Sequence, residues 1–230
     1  MHLRFIVFLR MSISQNLKNI LATIPSGAKL IAVSKTKPDE AIIEAYQSGQ
    51  RIFGENKAQE LAAKQKDLPS DIEWHMIGHM QSNKVKYIAP FVALIHSVDS
   101  LSLLEEINKQ ALKNNRTIGV LLQFHIAEEE TKFGFSMEEV EELLNSSAYK
   151  ELKNIEVCGV MGMATFTENQ EQIKKEFKQL KAYFTQLKSA HFSEKERFNE
   201  ISMGMSGDYL LAIQEGSTMV RVGSSIFGGR

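Results

Sequence analysis

Lys35 stands at the end of the apolar run Leu30-Ile31-Ala32-Val33-Ser34, a place that suits a lysine to one kind of chemistry. In a partly desolvated mouth its amine loses proton affinity and can attack a carbonyl, as an imine with an aldehyde cofactor requires. A lysine near a strand end is also commonly a solvated tether, so other residues must add to the case. Two stretches near the C-terminus do so: Gly204-Met205-Ser206-Gly207-Asp208 and Gly223-Ser224-Ser225. Both look built for an oxyanion, because glycines admit close backbone amides and hydroxyls donate hydrogen bonds. Either one alone is equally an ordinary Gly-Ser connection. Their joint placement strengthens the reading.

Arg221 lies between the two stretches and interrupts the apolar run Met219–Val222. It cannot shed its charge when buried, so it needs a partner. That partner is either a structural carboxylate or a cofactor atom, and arginine facing a pyridine nitrogen is one recurring arrangement for pyridoxal phosphate. Such an arginine discourages protonation of the nitrogen and leaves the ring a weaker electron sink. Asn56, in Gly54-Glu55-Asn56, is suited either to hydrogen-bond a bound ring or to cap the following helix. His75, His79 and His125 could suggest a metal-dependent hydrolase, but they lack an evident carboxylate ligand and any His-x-His pair, so anchoring roles are the better reading. Lys132, in Thr131-Lys132-Phe133-Gly134, is a second cation for the mouth or a loop charge.

Elements that bring these residues together can be read from the periodicity. From Lys29 onward short apolar runs alternate with amphipathic segments. The expected strands are Leu30–Ser34, Arg51–Gly54, Glu73–Gly78, Ala93–Val98, Ile118–Ile126, Ile155–Met161, Phe198–Met203 and Met219–Val222. Helical faces are clearest for Ile173, Phe177, Leu180, Phe184 and Leu187, and for Leu101, Leu104, Ile107 and Ala111. Strand–helix alternation means parallel strands, and eight such units predict a single (β/α)8 TIM barrel. The rival, a doubly wound open sheet, lacks its G-x-G-x-x-G after the first strand. In a barrel the chemistry sits at the C-terminal ends of strands, where Lys35, Ser206 and Gly223 fall. Thr36 with Asp39 predicts a capping box that sends Lys37 outward along a new helix while Lys35 faces the mouth.

The whole chain is consistent with that architecture. Its 230 residues fit one large domain, and 27 basic against 28 acidic residues give no electrostatic footprint for nucleic acid or an anionic membrane. The single cysteine, Cys158, excludes an intramolecular disulfide and reads as a small buried hydrophobe, in keeping with a reducing compartment. Phe5–Leu9 is too short for a signal-peptide core, so the protein is expected to be unexported and cytoplasmic. Met11 opens a helical pattern through Ile13, Leu17, Ile20, Leu21 and Ile24 before Pro25. Residues 1–10 therefore read as a start-site extension and 11–230 as the single domain.

Several segments together resemble one known family. They are Ala32-Val33-Ser34-Lys35-Thr36-Lys37-Pro38, Phe53-Gly54-Glu55-Asn56, Trp74-His75-Met76-Ile77-Gly78-His79-Met80-Gln81-Ser82-Asn83-Lys84, Ser202-Met203-Gly204-Met205-Ser206 and Gly216-Ser217-Thr218-Met219-Val220-Arg221-Val222-Gly223. The chain resembles the pyridoxal phosphate homeostasis protein family, itself similar to the N-terminal barrel domain of bacterial alanine racemase. The resemblance implies pyridoxal 5′-phosphate held as a covalent imine at Lys35, Arg221 facing the pyridine nitrogen, Asn56 near the ring, and Ser206, Gly223 and Ser224 on the phosphate. It implies binding, buffering and delivery of the cofactor, with apo forms of pyridoxal phosphate enzymes as partners, in place of a defined reaction. His79 and His125 depart from the residues common in that family. The chain ends at Arg230, just after the eighth strand, and Lys35 is one base where racemisation needs two, so no robust catalysis is expected. An amino-acid racemase is the alternative. A monomer is expected, as no exposed apolar stripe stands out.

Overall fold

Eight parallel strands close on themselves in the computed structural model, which describes residues 12–128 and 133–229. Residues 1–11, Lys132 and Arg230, which the sequence reading invoked, lie outside the described residues. In chain order the elements are α1 (Ile13–Leu21), β1 (Lys29–Val33), α2 (Asp39–Gln47), β2 (Ile52–Glu55), α3 (Ala58–Asp67), β3 (Glu73–Met76), α4 (Val85–Ile88), β4 (Leu94–Val98), α5 (Leu101–Lys113) and β5 (Ile118–Phe124). They continue with α6 (Met137–Asn145), α7 (Ser147–Lys150), β6 (Ile155–Gly162), α8 (Gln170–Ala190), β7 (Glu200–Met205), α9 (Tyr209–Gln214), β8 (Met219–Val222) and α10 (Ser224–Phe227). All eight expected strands form. The pairing of β1 with β8, through Lys29–Met219 to Ala32–Val222, closes the barrel and excludes the open sheet.

The helices start where side chains satisfy their first N–H groups. Ser12 accepts from the Gln15 N–H in α1, and Ser136 with Glu139 forms a reciprocal capping box at the start of α6. The apolar faces expected from periodicity are the buried ones. In α8 Ile173, Phe177, Leu180 and Leu187 are buried and Phe184 packs beside them, each full burial stabilising by roughly 1.5–3 kcal/mol. Among the described residues no helix is long and apolar enough to cross a membrane.

Strand parity divides the core in two. Outward side chains such as Ala32, Phe53, Trp74, Ile95 and Val220 join the helices in the larger core. Inward ones, Ile31, Leu94, Leu121, Cys158, Met161 and Met219, form a separate cluster inside the barrel. Cys158 is thus a buried small side chain, and burial pushes its thiol pKa up. The inward parity of Met219 is shared by Arg221 and Gly223, which carries β8 from apolar lumen to polar mouth.

Candidate functional site

Lys35 follows β1 and is half-buried, with no hydrogen-bond or ion-pair partner for its amine among the described residues. It lines a cavity of about 600 Å³ with Thr36, Lys37, Asn56 and Glu60, and a smaller one of about 130 Å³ with Gly223 and Ser224. Ser206 joins the second group, because its Oγ accepts from the Gly223 N–H at 3.2 Å. The structure therefore brings Lys35, Asn56, Ser206, Gly223 and Ser224 to one end of the barrel. Close backbone approach makes this possible at two glycines. A Cβ on Gly223 would lie 3.0 Å from the Val33 carbonyl oxygen, and a Cβ on Gly78 would meet the Asn56 carbonyl oxygen at 2.5 Å.

The expected capping box between Thr36 and Asp39 does not form. Thr36 adopts a left-handed conformation (φ 62°), and α2 begins at Asp39 with no side-chain cap. The Thr36 N–H is taken instead by Glu60 Oε1 at 2.6 Å, because Lys64 has drawn that carboxylate to the loop. Lys37 likewise does not point outward. Its Nζ turns back to donate to the carbonyls of Phe227, Gly228 and Gly229 at 3.3, 3.0 and 3.1 Å, which satisfies chain ends just beyond α10. Asn56 caps no helix: Lys57 precedes α3, and the Asn56 amide has no hydrogen-bond partner among the described residues.

Behind the Lys35 loop, outside the barrel, lies a compact charged network. Lys64 donates to the Ser34 carbonyl at 2.9 Å and to Glu55 Oε1 at 2.8 Å, and Ser34 Oγ donates to the same Glu55 oxygen at 2.6 Å. Glu55 is fully buried, and among the described residues its Oε2 is left without a partner. Burial pushes its carboxyl pKa up, against the pull of Lys64 and Ser34. The loop carrying Lys35 is thus fixed through its backbone.

Arg221 sits deeper, in register with Ile31, and lines neither cavity. It finds no carboxylate ion pair among the described residues. Its Nη1 donates to Ser202 Oγ at 2.5 Å and its Nη2 to the Gly162 carbonyl at 3.2 Å. Burial pushes its pKa down to about 10, opposed by Asp208. Ser202 Oγ also contacts His96 Nδ1, His96 Nε2 contacts His75 Nδ1, and His75 Nε2 contacts Glu73 Oε1, each at 2.9 Å. Burial holds His96 well below its ordinary pKa, with His75 and Arg221 adding to the effect.

Reading the residues alone passed over Lys64, His96 and Ser202. Only His96 carried a signal, since it interrupts the apolar run Leu94–Val98 much as Arg221 interrupts β8. Of the other histidines, His79 pairs with Asp99 at 3.3 Å and stacks on Phe133 with centroids 4.4 Å apart. Among the described residues no three His, Cys, Asp or Glu side chains are grouped to hold a metal ion.

These residues fit an aldehyde-bearing pyridine phosphate. Among the described residues the amine and the amide are unpartnered, the glycine-serine loops adjoin them, and two of the five N–H donors of the Arg221 guanidinium are used. Comparison with known proteins agrees on the fold and family. The family model described as "Alanine racemase, N-terminal domain" matches residues 10–230. The chain is 41% identical over 204 residues to the pyridoxal phosphate homeostasis protein of Aquifex aeolicus, covering 88% of this chain and 87% of that one. It is 36% identical over 210 residues to the Escherichia coli K12 protein of the same name, covering 90% and 87%. The structure of PipY from Synechococcus elongatus with PLP bound superposes with a TM-score of 0.81 at 35% identity, covering 94% of this chain and 100% of PipY. An alanine racemase from Bartonella henselae, 18% identical, shares the fold with a TM-score of 0.70 over 95% of this chain and 63% of the racemase. On the strength of relatives more than one-third identical over most of both chains, this protein belongs to the pyridoxal phosphate homeostasis proteins, built on the alanine racemase N-terminal domain.

Proposed function

We propose that this protein binds pyridoxal 5′-phosphate in the barrel mouth and acts in its homeostasis inside the cell, holding and releasing the cofactor and turning over no substrate of its own. The observation that carries the reading is the Lys35 amine, unpartnered among the described residues, beside the Gly223-Ser224 cavity, supported by the PLP-bound structure of PipY. When bound, the cofactor supplies an aldehyde, which Lys35 holds as an imine. Ser206, Gly223 and Ser224 take the phosphate through hydroxyl and backbone donors. Asn56 contacts the ring. Arg221 faces the pyridine nitrogen and, by keeping it unprotonated, disfavours carbanion chemistry on bound amino acids. Residues 11–230 act as one domain, as a monomer in the cytoplasm, with apo forms of pyridoxal phosphate enzymes as recipients.

Borohydride reduction tests the reading. We expect the phosphopyridoxyl group on Lys35, since Lys37 is engaged by three carbonyls. A label on Lys37 would overturn the assignment. The same holo-protein incubated with alanine in deuterated water should leave the α-proton essentially unexchanged; rapid exchange abolished by Lys35→Ala would promote a racemase.

A further inference from the structure

The Glu73 carboxylate can only accept and the Arg221 guanidinium can only donate, and with both histidines singly protonated these two ends set the sense of the hydrogen bonds between them. Ser202 Oγ accepts from Arg221 Nη1, which leaves its own proton to donate to His96 Nδ1. His96 then carries its ring proton on Nε2 and donates to His75 Nδ1, and His75 donates from Nε2 to Glu73 Oε1. The chain ends on a carboxylate, which has lone pairs and no proton to give. In the reverse sense a neutral His75 would present a bare Nε2 to that carboxylate, lone pair against lone pair.

This chain crosses the barrel. His75 and His96 come from β3 and β4, Ser202 and Arg221 from β7 and β8, and all four are buried. Glu73, about half exposed, opens the opposite end to solvent beside Lys29 and Arg197. His96 is faced by His75 and Arg221, and Arg221 by Asp208. A common donor sense between a buried cation and a distant anion, in a low-dielectric interior, gives an orientation that pairwise contacts alone would not.

We propose that Glu73, His75, His96 and Ser202 are positioning residues for Arg221: a one-way chain of donors that seats the guanidinium with its remaining N–H groups turned to the cofactor's pyridine nitrogen. The proposal rests on the pyridoxal phosphate reading above. The chain ties the ring end of the site to a carboxylate at the far end of the barrel.

The discriminating probe is 1-deazapyridoxal 5′-phosphate, in which carbon replaces the ring nitrogen. Wild-type protein should prefer pyridoxal phosphate over this analogue. Ser202→Ala should reduce that preference about tenfold, the equivalent of one charge-assisted hydrogen bond, while affinity for the deaza analogue holds. Ser202→Thr, which keeps the hydroxyl, should retain the preference. Glu73→Gln still accepts from His75 but removes the charge, and should give a smaller loss in the same direction. Nitrogen NMR of the ligand-free wild type needs no variant: both histidines should show a bare Nδ1 and a protonated Nε2. A protonated His96 Nδ1, or an equal loss of both ligands in Ser202→Ala, overturns the proposal. Failure of borohydride to label Lys35 with the nitrogen pattern intact overturns the binding reading and leaves the chain standing as the anchor of Arg221.

Discussion

Lys35 is held by its backbone and Arg221 by its side chain, and the two supports differ accordingly. Behind Lys35, Lys64 and Glu60 grip the Ser34 carbonyl and the Thr36 N–H, and among the described residues they leave the Lys35 amine unpartnered. Behind Arg221, Ser202 and Gly162 grip the guanidinium itself. A group that must form and release a covalent bond needs its nitrogen available, whereas a group that only presents a fixed charge gains from having part of its donor set tied down. The outer network is short, with Lys64, Glu55 and Glu60 gathered around the Ser34 and Thr36 groups. The inner one is long, with two histidines and a serine between Glu73 and Arg221.

The largest effect should come from breaking the outer network. Lys64→Met leaves the fully buried Glu55 carboxylate without its cation, and we expect a loss of about 3–5 kcal/mol in urea unfolding. The double variant Lys64→Met with Glu55→Gln should recover most of it. Equal stability of the single variant and the wild type would show that Glu55 is protonated in the fold and that the network is not a charged one.

The two networks should also answer pH with opposite sign. Folding lowers the pKa of His96, so its contribution is fully present above the unfolded value of about 6.5 and is lost as pH falls toward the folded one. Folding raises that of Glu55, so the outer network is most favourable at acidic pH and loses stability as pH rises through the folded value. Between pH 6.5 and 5 the inner effect should appear as a slope of at most about 1.4 kcal/mol per pH unit in unfolding free energy. His96→Gln should flatten it. An unchanged slope in that variant would place the titrating group elsewhere.

The smallest effect sharpens the comparison at Thr36. A β-branched residue at φ 62° is strained, and the strain is tolerated because Glu60 holds the N–H there. Thr36→Gly relieves it at the expense of a looser unfolded chain, so stability should rise by no more than about 1 kcal/mol. A loss greater than that would show the threonine side chain to be a contact in its own right.

The amino-acid pattern alone determined the barrel, because alternating strand and helix periodicities are local, and each of the eight apolar runs became a strand. It also marked Lys35, Ser206, Arg221 and Gly223 by type and place: a lysine or arginine ending or interrupting an apolar strand must either find a partner or do chemistry. What only the tertiary structure decided is which partners those are. Glu60 displaces Asp39 at the Thr36 N–H from a different helix, Lys37 turns back on residues almost two hundred positions away, and Arg221, for which a carboxylate or a cofactor atom stood open, is met by Ser202. His96 and Ser202 lie on strands that are not neighbours in the sheet, and they meet only because the barrel closes. Parity along one strand says that a side chain points inward, but closure of the sheet sets what it finds there.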